Sequence, residues 1–174
     1  MQLKVNQNSP EFNGIDLNGK TISLNNYKNK KVLISFLRGA SCAFCNMRVH
    51  ELIKNYSELQ KNNIEIITVF TSSKTEMEKY VGKQQAPFPM VPNPSLSLYK
   101  KFGVEYSHLG MFVAMFKRMP TLIKSMGKGM FGLKSLFDVP SLPADFLINE
   151  KGGIEIAYYG KDYGDHLTID DILR

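Results

Sequence analysis

Two cysteines separated by two residues stand where a predicted strand gives way to a predicted helix. The stretch 32–37 is short, apolar and continuous, which is typical of a strand buried on both faces. Residues 38–41 include a glycine and predict a bend, and Cys42 and Cys45 follow. Apolar residues then recur at helical spacing, which predicts a helix over roughly 43–60. At least one sulfur should therefore lie against free backbone N–H groups, which favour a thiolate.

Cys42 and Cys45 are the only cysteines in the chain, which limits the chemistry that they can support. A tetrahedral zinc site takes four ligands, and His50, His108 and His166 show no ligand spacing, so we expect no metal and no other cofactor. A purely structural pair of buried thiols is the less specific alternative. A Cys-x-x-Cys pair at the start of a helix favours redox chemistry.

The chain of 174 residues predicts one domain, 1–174, with a full hydrophobic core. It has no apolar run near the roughly 20 residues that span a bilayer, and its first ten residues carry no hydrophobic signal core. We therefore expect a cytoplasmic protein, a setting in which such a cysteine pair is more often catalytic than a permanent crosslink.

Residues 105–138 differ in composition from the rest of the chain. No acidic residue lies between Glu105 and Asp138, while five of the lysines and arginines, five of the nine methionines and four phenylalanines do. We predict a basic helical insertion here, either a flap beside the active site, a docking surface that includes a homodimer contact, or, over 108–138, a helix on an anionic membrane surface. The charge is too local to indicate nucleic-acid binding.

The order of elements predicts an α/β fold with a mixed sheet and helices on both faces. Asn18-Gly19 predicts the turn of an N-terminal hairpin, and Ser73 and Thr168 are candidate helix caps. The remaining predictions are strands at 64–70 and 90–91, a short helix at 95–102, an antiparallel pair at 142–148 and 154–158, and a final helix at 167–174.

The chain resembles the redoxin group of thioredoxin-fold proteins, the alkyl hydroperoxide reductase/thiol-specific antioxidant type, in its peroxiredoxin-like branch. The resemblance covers about 10–104 and 139–174 and implies a thioredoxin-like mixed sheet with an N-terminal hairpin and an insertion before the last strand pair. Four stretches carry it: 16–24 (hairpin), 36–45 with 51–52 (active-site turn), 142–152 (a strand that opens with proline and faces the cysteines) and 157–166 with 170–173 (carboxyl end).

Two departures from typical peroxiredoxins favour thiol–disulfide exchange. If Cys45 is aligned with the peroxidatic cysteine, Cys42 and Arg38 stand where the family has Thr or Ser and Pro. Pro143 replaces the arginine of the later strand and is similar to the cis-proline of thioredoxin. The resemblance then implies that Cys42, the more exposed thiol, attacks a disulfide, with Arg38 favouring its thiolate, and that Cys45 resolves the mixed disulfide. A cis Pro143 would free the carbonyl of Leu142 to pair with substrate.

Two alternatives stay open. In a thiol-dependent peroxidase, Cys45 would become a sulfenic acid and Cys42 would condense with it. In a non-catalytic redox-sensing or binding module, the pair would gate residues 108–138. The expected partners of an enzyme are a protein or small-thiol reductant and a disulfide or peroxide substrate. Arg48 is expected on the solvated helix face, and Asp165 and His166 at the cap of the last helix.

Overall fold

The structure, a computed structural model, describes residues 1–108, 113, 120 and 138–174. Most of the basic insertion predicted at 105–138 lies outside the described residues, so its helices stay a prediction. Within the described ranges, no helix is both long and apolar enough to cross a membrane.

The main sheet has five strands and is mixed, as the sequence predicts. Its order is β5-β4-β3-β6-β7, with β3 parallel to β4, β4 parallel to β5, and β6 antiparallel to both of its neighbours. The strands are β3 (Lys31–Leu37), β4 (Ile64–Phe70), β5 (Met90–Pro92), β6 (Ala144–Ile148) and β7 (Ile154–Tyr159). The continuous apolar runs of β3 and β4 place these strands at the centre, where both faces are buried.

Helices pack on both faces of the sheet, which confirms the predicted fold class. They are α1 (Ala43–Lys61), α2 (Lys74–Lys79), α3 (Ser97–Lys101) and α4 (Ile169–Leu173). Alternate residues of the central strands feed two cores. One core contains Leu33, Leu37, Val49, Leu52, Ile66 and Met77, and the other contains Ile34, Phe36, Val69, Tyr99, Phe102 and Phe146.

The N-terminal hairpin forms around the predicted Asn-Gly turn. Its strands are β1 (Asn13–Ile15) and β2 (Thr21–Ser23), so the first strand lies two residues earlier than expected. Gly19 has a φ of +81°, and the Asp16 carboxylate accepts hydrogen bonds from the N–H groups of Asn18 and Lys20. This carboxylate holds the turn from inside, which explains why the turn begins at Asp16.

Both predicted helix caps are present. The side chain of Ser73 accepts a hydrogen bond from the N–H of Glu76, and that of Thr168 accepts one from the N–H of Asp171. α2 ends at Lys79, and a 3-10 turn, Val81–Gln84, follows.

Candidate active site

The two cysteines lie at the start of α1, one helical turn apart. Cys42 is the residue before the helix, and Cys45 lies in its first turn. Both are free thiols, and both are buried: Cys42 is 2% exposed and Cys45 is 1% exposed. Cys42 is only marginally the more exposed of the two, and neither thiol is open to solvent.

A segment that is distant in sequence contacts the bend that precedes Cys42. Ser41 donates a hydrogen bond to Oδ2 of Asp138 over 3.2 Å, and Arg38 Nε donates to the carbonyl of Val139 over 3.2 Å. A Cβ added at Gly39 would stand 1.9 Å from Oδ2 of Asp138, so a larger residue here would displace the Asp138 side chain. Residues 138–139 thus lie directly on the bend that leads into Cys42.

The two ends of the predicted insertion meet beside the same bend. The N–H of Ser107 donates to the carbonyl of Pro140 over 2.7 Å, and the N–H of Leu142 donates to the carbonyl of Glu105 over 2.8 Å. Tyr163 donates its hydroxyl hydrogen to the carbonyl of Ser107 over 3.1 Å. Residues 105–107 and 140–142 therefore form a short antiparallel stem next to the thiols.

The environment of the pair separates the two thiols electrostatically. A hydrogen bond from Cys45 lowers the pKa of Cys42 to about 6 in spite of burial, and Arg38 and the N–H groups of Cys45 and Phe44 act in the same direction. Burial raises the pKa of Cys45 well above its ordinary value, and its hydrogen bond with Cys42 adds to the increase. The shared proton therefore resides on Cys45, and Cys42 is the thiolate.

Arg38 is held in place close to both sulfurs. Its guanidinium lies 4.3 Å from the ring centre of Tyr163, and its backbone N–H donates to Sγ of Cys45 over 3.3 Å. The side chain is buried, so its positive charge acts on Cys42 with little screening by water.

Pro143 lies across from the end of β3, but not as the sequence predicts. The register pairs Phe36 with Ala144, which places Pro143 at the level where β3 runs into the active-site bend. The peptide bond before Pro143 is trans, so the predicted cis bond is wrong. The chain's own residues 105–107 pair with 140–142, where an extended substrate was expected.

A buried acidic residue that the sequence analysis did not single out lies in β6. Oδ1 of Asp145 accepts a hydrogen bond from Ser35, and Oδ2 accepts one from the N–H of Leu167 over 2.8 Å and lies 3.1 Å from Nδ1 of His166. Burial alone would raise the pKa of Asp145, but His166, Arg48 and these hydrogen bonds hold it well below its usual range.

This cluster corrects the predictions for Arg48 and His166. Arg48 is buried rather than solvated, with Nη1 2.7 Å from Oε2 of Glu51 and Nη2 3.8 Å from Oδ1 of Asp145. His166 does not cap the last helix, since Thr168 does and His166 pairs with Asp145. The feature of the sequence that could have revealed this cluster is an aspartate, Asp145, inside an otherwise apolar strand.

Among the described residues, no group of three or more His, Cys, Asp or Glu side chains could hold a metal ion.

The chain is similar to known proteins over most of its length. A model described as AhpC/TSA family matches residues 5–157. A Haemophilus influenzae protein named peroxiredoxin bcp is 24% identical over 173 residues, which span 99% of this chain and 97% of that protein. The thiol-disulfide oxidoreductase ResA of Bacillus cereus is 25% identical over 105 residues, 59% of this chain and 60% of ResA.

The fold of the chain is similar to that of a solved structure. A mutant of PrxQ from Xylella fastidiosa superposes with a TM-score of 0.68 at 13% identity, covering 91% of this chain and 86% of that one. At this identity the likeness concerns the fold alone.

Proposed function

The chain belongs to the AhpC/TSA family, and on that premise we propose that it is a thiol–disulfide oxidoreductase in which Cys42 attacks and Cys45 resolves. The geometry that carries the proposal is the pair of neighbouring thiols at the start of α1, with Arg38 beside them. The lowered pKa of Cys42, about 6, supplies a thiolate at neutral pH, while the raised pKa of Cys45 keeps a proton available.

In the proposed reaction, the Cys42 thiolate attacks one sulfur of a substrate disulfide. A mixed disulfide forms, the substrate S–S bond breaks, and the departing thiolate takes the proton of Cys45. Cys45 then attacks Sγ of Cys42, which releases the second substrate sulfur and leaves a Cys42–Cys45 disulfide. The substrate has gained two electrons, and a protein dithiol or two small thiols return them to the pair.

Two further residues have proposed roles around the pair. Arg38 stabilises the Cys42 thiolate through its buried charge, supported by its contact with the ring of Tyr163. Pro143 positions the end of β6 beside the bend: its carbonyl accepts the N–H of Gly160 over 2.9 Å, and a Cβ at Gly160 would stand 2.8 Å from Cγ of Pro143. Its proposed role is thus to fix the backbone at this end of β6.

The test is to trap the mixed disulfide with a disulfide-bonded peptide that carries a fluorophore. Cys45→Ser should retain the label after non-reducing electrophoresis, because the second attack is blocked, and Cys42→Ser should retain none. If Cys42→Ser retains the label and Cys45→Ser does not, the roles of the two cysteines are reversed. No label in either variant, together with no turnover of the wild type with any reductant, would favour a non-catalytic module.

A second candidate is thiol-dependent peroxide reduction, favoured by the nearly full-length match to a protein named peroxiredoxin bcp. Here Cys45 would be oxidised to a sulfenic acid, and Cys42 would condense with it and release water. A sulfenic-acid probe applied to peroxide-treated Cys42→Ser tests this candidate. Labelling of Cys45 at modest peroxide would support it, and absence of labelling would count against it.

The remaining features of the function are also proposals. We place the protein in the cytoplasm, where a reductant can regenerate the pair. The basic segment 105–138 is proposed as a flap or docking surface, including a homodimer contact, since its two ends converge beside the thiols. Sedimentation of the full chain, with and without liposomes, separates a dimer contact from a membrane contact.

A further inference from the structure

A cleft of about 510 Å³ lies beside α1 and is distinct from the bend at the thiols. Residues of α1 form one wall, and the loop before α4 forms the other. The polar and apolar residues that matter to its chemistry are Phe44, Arg48, Glu51, Lys54, His166 and Thr168. The cleft begins next to the Cys-x-x-Cys turn, since Phe44 stands between the two cysteines in sequence.

Two buried side chains at this cleft have unused hydrogen-bonding atoms. Among the described residues, Nε and Nη2 of Arg48 and Nε2 of His166 have no hydrogen-bond partner. The side chain of Arg48 is 2% exposed and that of His166 is 7% exposed, so water hardly reaches these atoms. A buried polar group without a hydrogen-bond partner is unfavourable, and two such side chains lining one cleft point to a ligand.

The buried carboxylate of Asp145 orients both side chains. Nδ1 of His166 lies 3.1 Å from Oδ2 of Asp145, an arrangement in which Nδ1 carries the hydrogen and Nε2 is the remaining ring nitrogen. Nη2 of Arg48 lies 3.8 Å from Oδ1 of Asp145, which is an ion pair but too long for a hydrogen bond. Asp145 therefore fixes the positions of Arg48 and His166 without using up the donors of the guanidinium.

The remaining contact of Arg48 indicates what kind of ligand fits. Nη1 donates to the carboxylate of Glu51 over 2.7 Å, and the Glu51 side chain is 48% exposed. A half-exposed carboxylate on a buried guanidinium can be replaced at little cost, because it is easily rehydrated. Lys54 adds a positive charge to the lining of the same cleft.

We propose that this cleft binds the carboxylate of a small organic acid, with Arg48 and His166 as its direct ligands and Glu51 as an internal competitor. Arg48 offers a planar fork of donors, which matches the two oxygens of a carboxylate. A protonated His166 would donate from Nε2 to the same anion, and Asp145 would compensate its charge. The site does not depend on the redox chemistry proposed above, since none of its ligands is a thiol.

The test is calorimetric titration of the reduced full chain with succinate at constant ionic strength, in parallel with inorganic phosphate. Succinate should saturate one site and shift the side-chain NMR resonances of His166. Arg48→Lys keeps the charge but loses the fork, and should weaken succinate binding by at least about tenfold. Glu51→Gln should bind succinate more tightly than the wild type, because the competitor has lost its charge.

Glu58→Gln, the same loss of a carboxylate charge at an exposed position of α1 outside the cleft lining, is the matched control for Glu51→Gln and should bind succinate like the wild type. An equal gain in affinity in Glu51→Gln and Glu58→Gln would reduce the effect to general electrostatics and overturn the proposal. The proposal would also be overturned if succinate shows no saturable binding, or if phosphate saturates the site and succinate does not. The same holds if Glu51→Gln binds succinate no more tightly than the wild type, or if the His166 resonances do not move. Circular dichroism confirms that each variant is folded.

Discussion

Cys45 of the thiol pair and Arg48 of the Asp145 cluster lie within one turn of each other on α1, yet the two sites are assembled differently. The thiol site comes from the contiguous residues 38–45, and its chemistry depends on one proton shared by two sulfurs. The Asp145 cluster collects side chains from β3, α1, β6 and the loop before α4. The groups that set the thiolate are local, although distant residues contact the bend, whereas a cluster assembled from four elements contributes to the stability of the fold itself.

The largest effect should come from Asp145→Asn. The substitution leaves the buried Arg48 without its internal counter-charge, so we expect the free energy of unfolding to fall by roughly 3 kcal/mol. Urea denaturation measures this. The titration of Cys42 should stay where it is, since its thiolate is set by Cys45 and Arg38. A variant with normal stability and an altered Cys42 titration would reverse the comparison.

The same residue predicts how stability depends on pH. The pKa of Asp145 is lower in the folded protein than in the unfolded chain, where it is about 3.9. Its contribution is therefore complete above about pH 5 and is lost as the pH falls through the folded value. Thermal unfolding should show a steeper loss of stability on acidification for the wild type than for Asp145→Asn. Parallel curves would contradict the account.

At the thiols, Cys45→Ala should have the next largest effect. It removes the hydrogen bond that is the main reason for the lowered pKa of Cys42, so that pKa should rise from about 6 toward the range of a free thiol. A shift of about one unit slows alkylation of Cys42 by iodoacetamide about tenfold at acidic pH. Cys45→Ser retains a hydroxyl donor and should shift less; an equal shift in both variants would argue against the hydrogen bond.

Arg38→Met should raise the pKa of Cys42 by a smaller amount. Its charge lowers the pKa of Cys42 less than the hydrogen bond from Cys45 does, so we expect alkylation at acidic pH to slow only a few-fold. Arg38→Lys keeps the charge but loses the planar group over Tyr163, and it should stay closer to the wild type. A larger effect than that of Cys45→Ala would show that charge, not the shared proton, sets the thiolate.

The smallest effect should be the stability change in Glu51→Gln. Glu51 pairs with the same arginine as Asp145, but its side chain is half exposed, so the loss should be within about 1 kcal/mol. Urea denaturation beside Asp145→Asn compares an exposed and a buried partner of one guanidinium. Equal losses would contradict the distinction drawn between them.

The same contrast explains what could be predicted from the sequence. Local patterns were sufficient for the hairpin at Gly19, the strands and helices of the described ranges, the caps at Ser73 and Thr168, and the placement of Cys42 and Cys45 at the start of α1. Each of these depends on residues close together in the chain.

Contacts between distant segments could not be predicted in this way. Residues 138–139 reach the bend at Gly39, about a hundred residues earlier in the chain. Arg48 lies at the edge of the buried face of α1, at i+3 from Cys45, and its buried ion-pair partner Asp145 comes from β6. Pro143 resembles a cis-proline in sequence, but the stem of 105–107 and 140–142 takes the place expected for substrate.

The most direct test of the central claim is the ultraviolet absorbance of the thiolate in the reduced protein as a function of pH. The account predicts one transition near pH 6, which disappears in Cys42→Ser and persists, shifted upward, in Cys45→Ser. A transition that survives in Cys42→Ser and disappears in Cys45→Ser would place the thiolate on Cys45 and contradict the account.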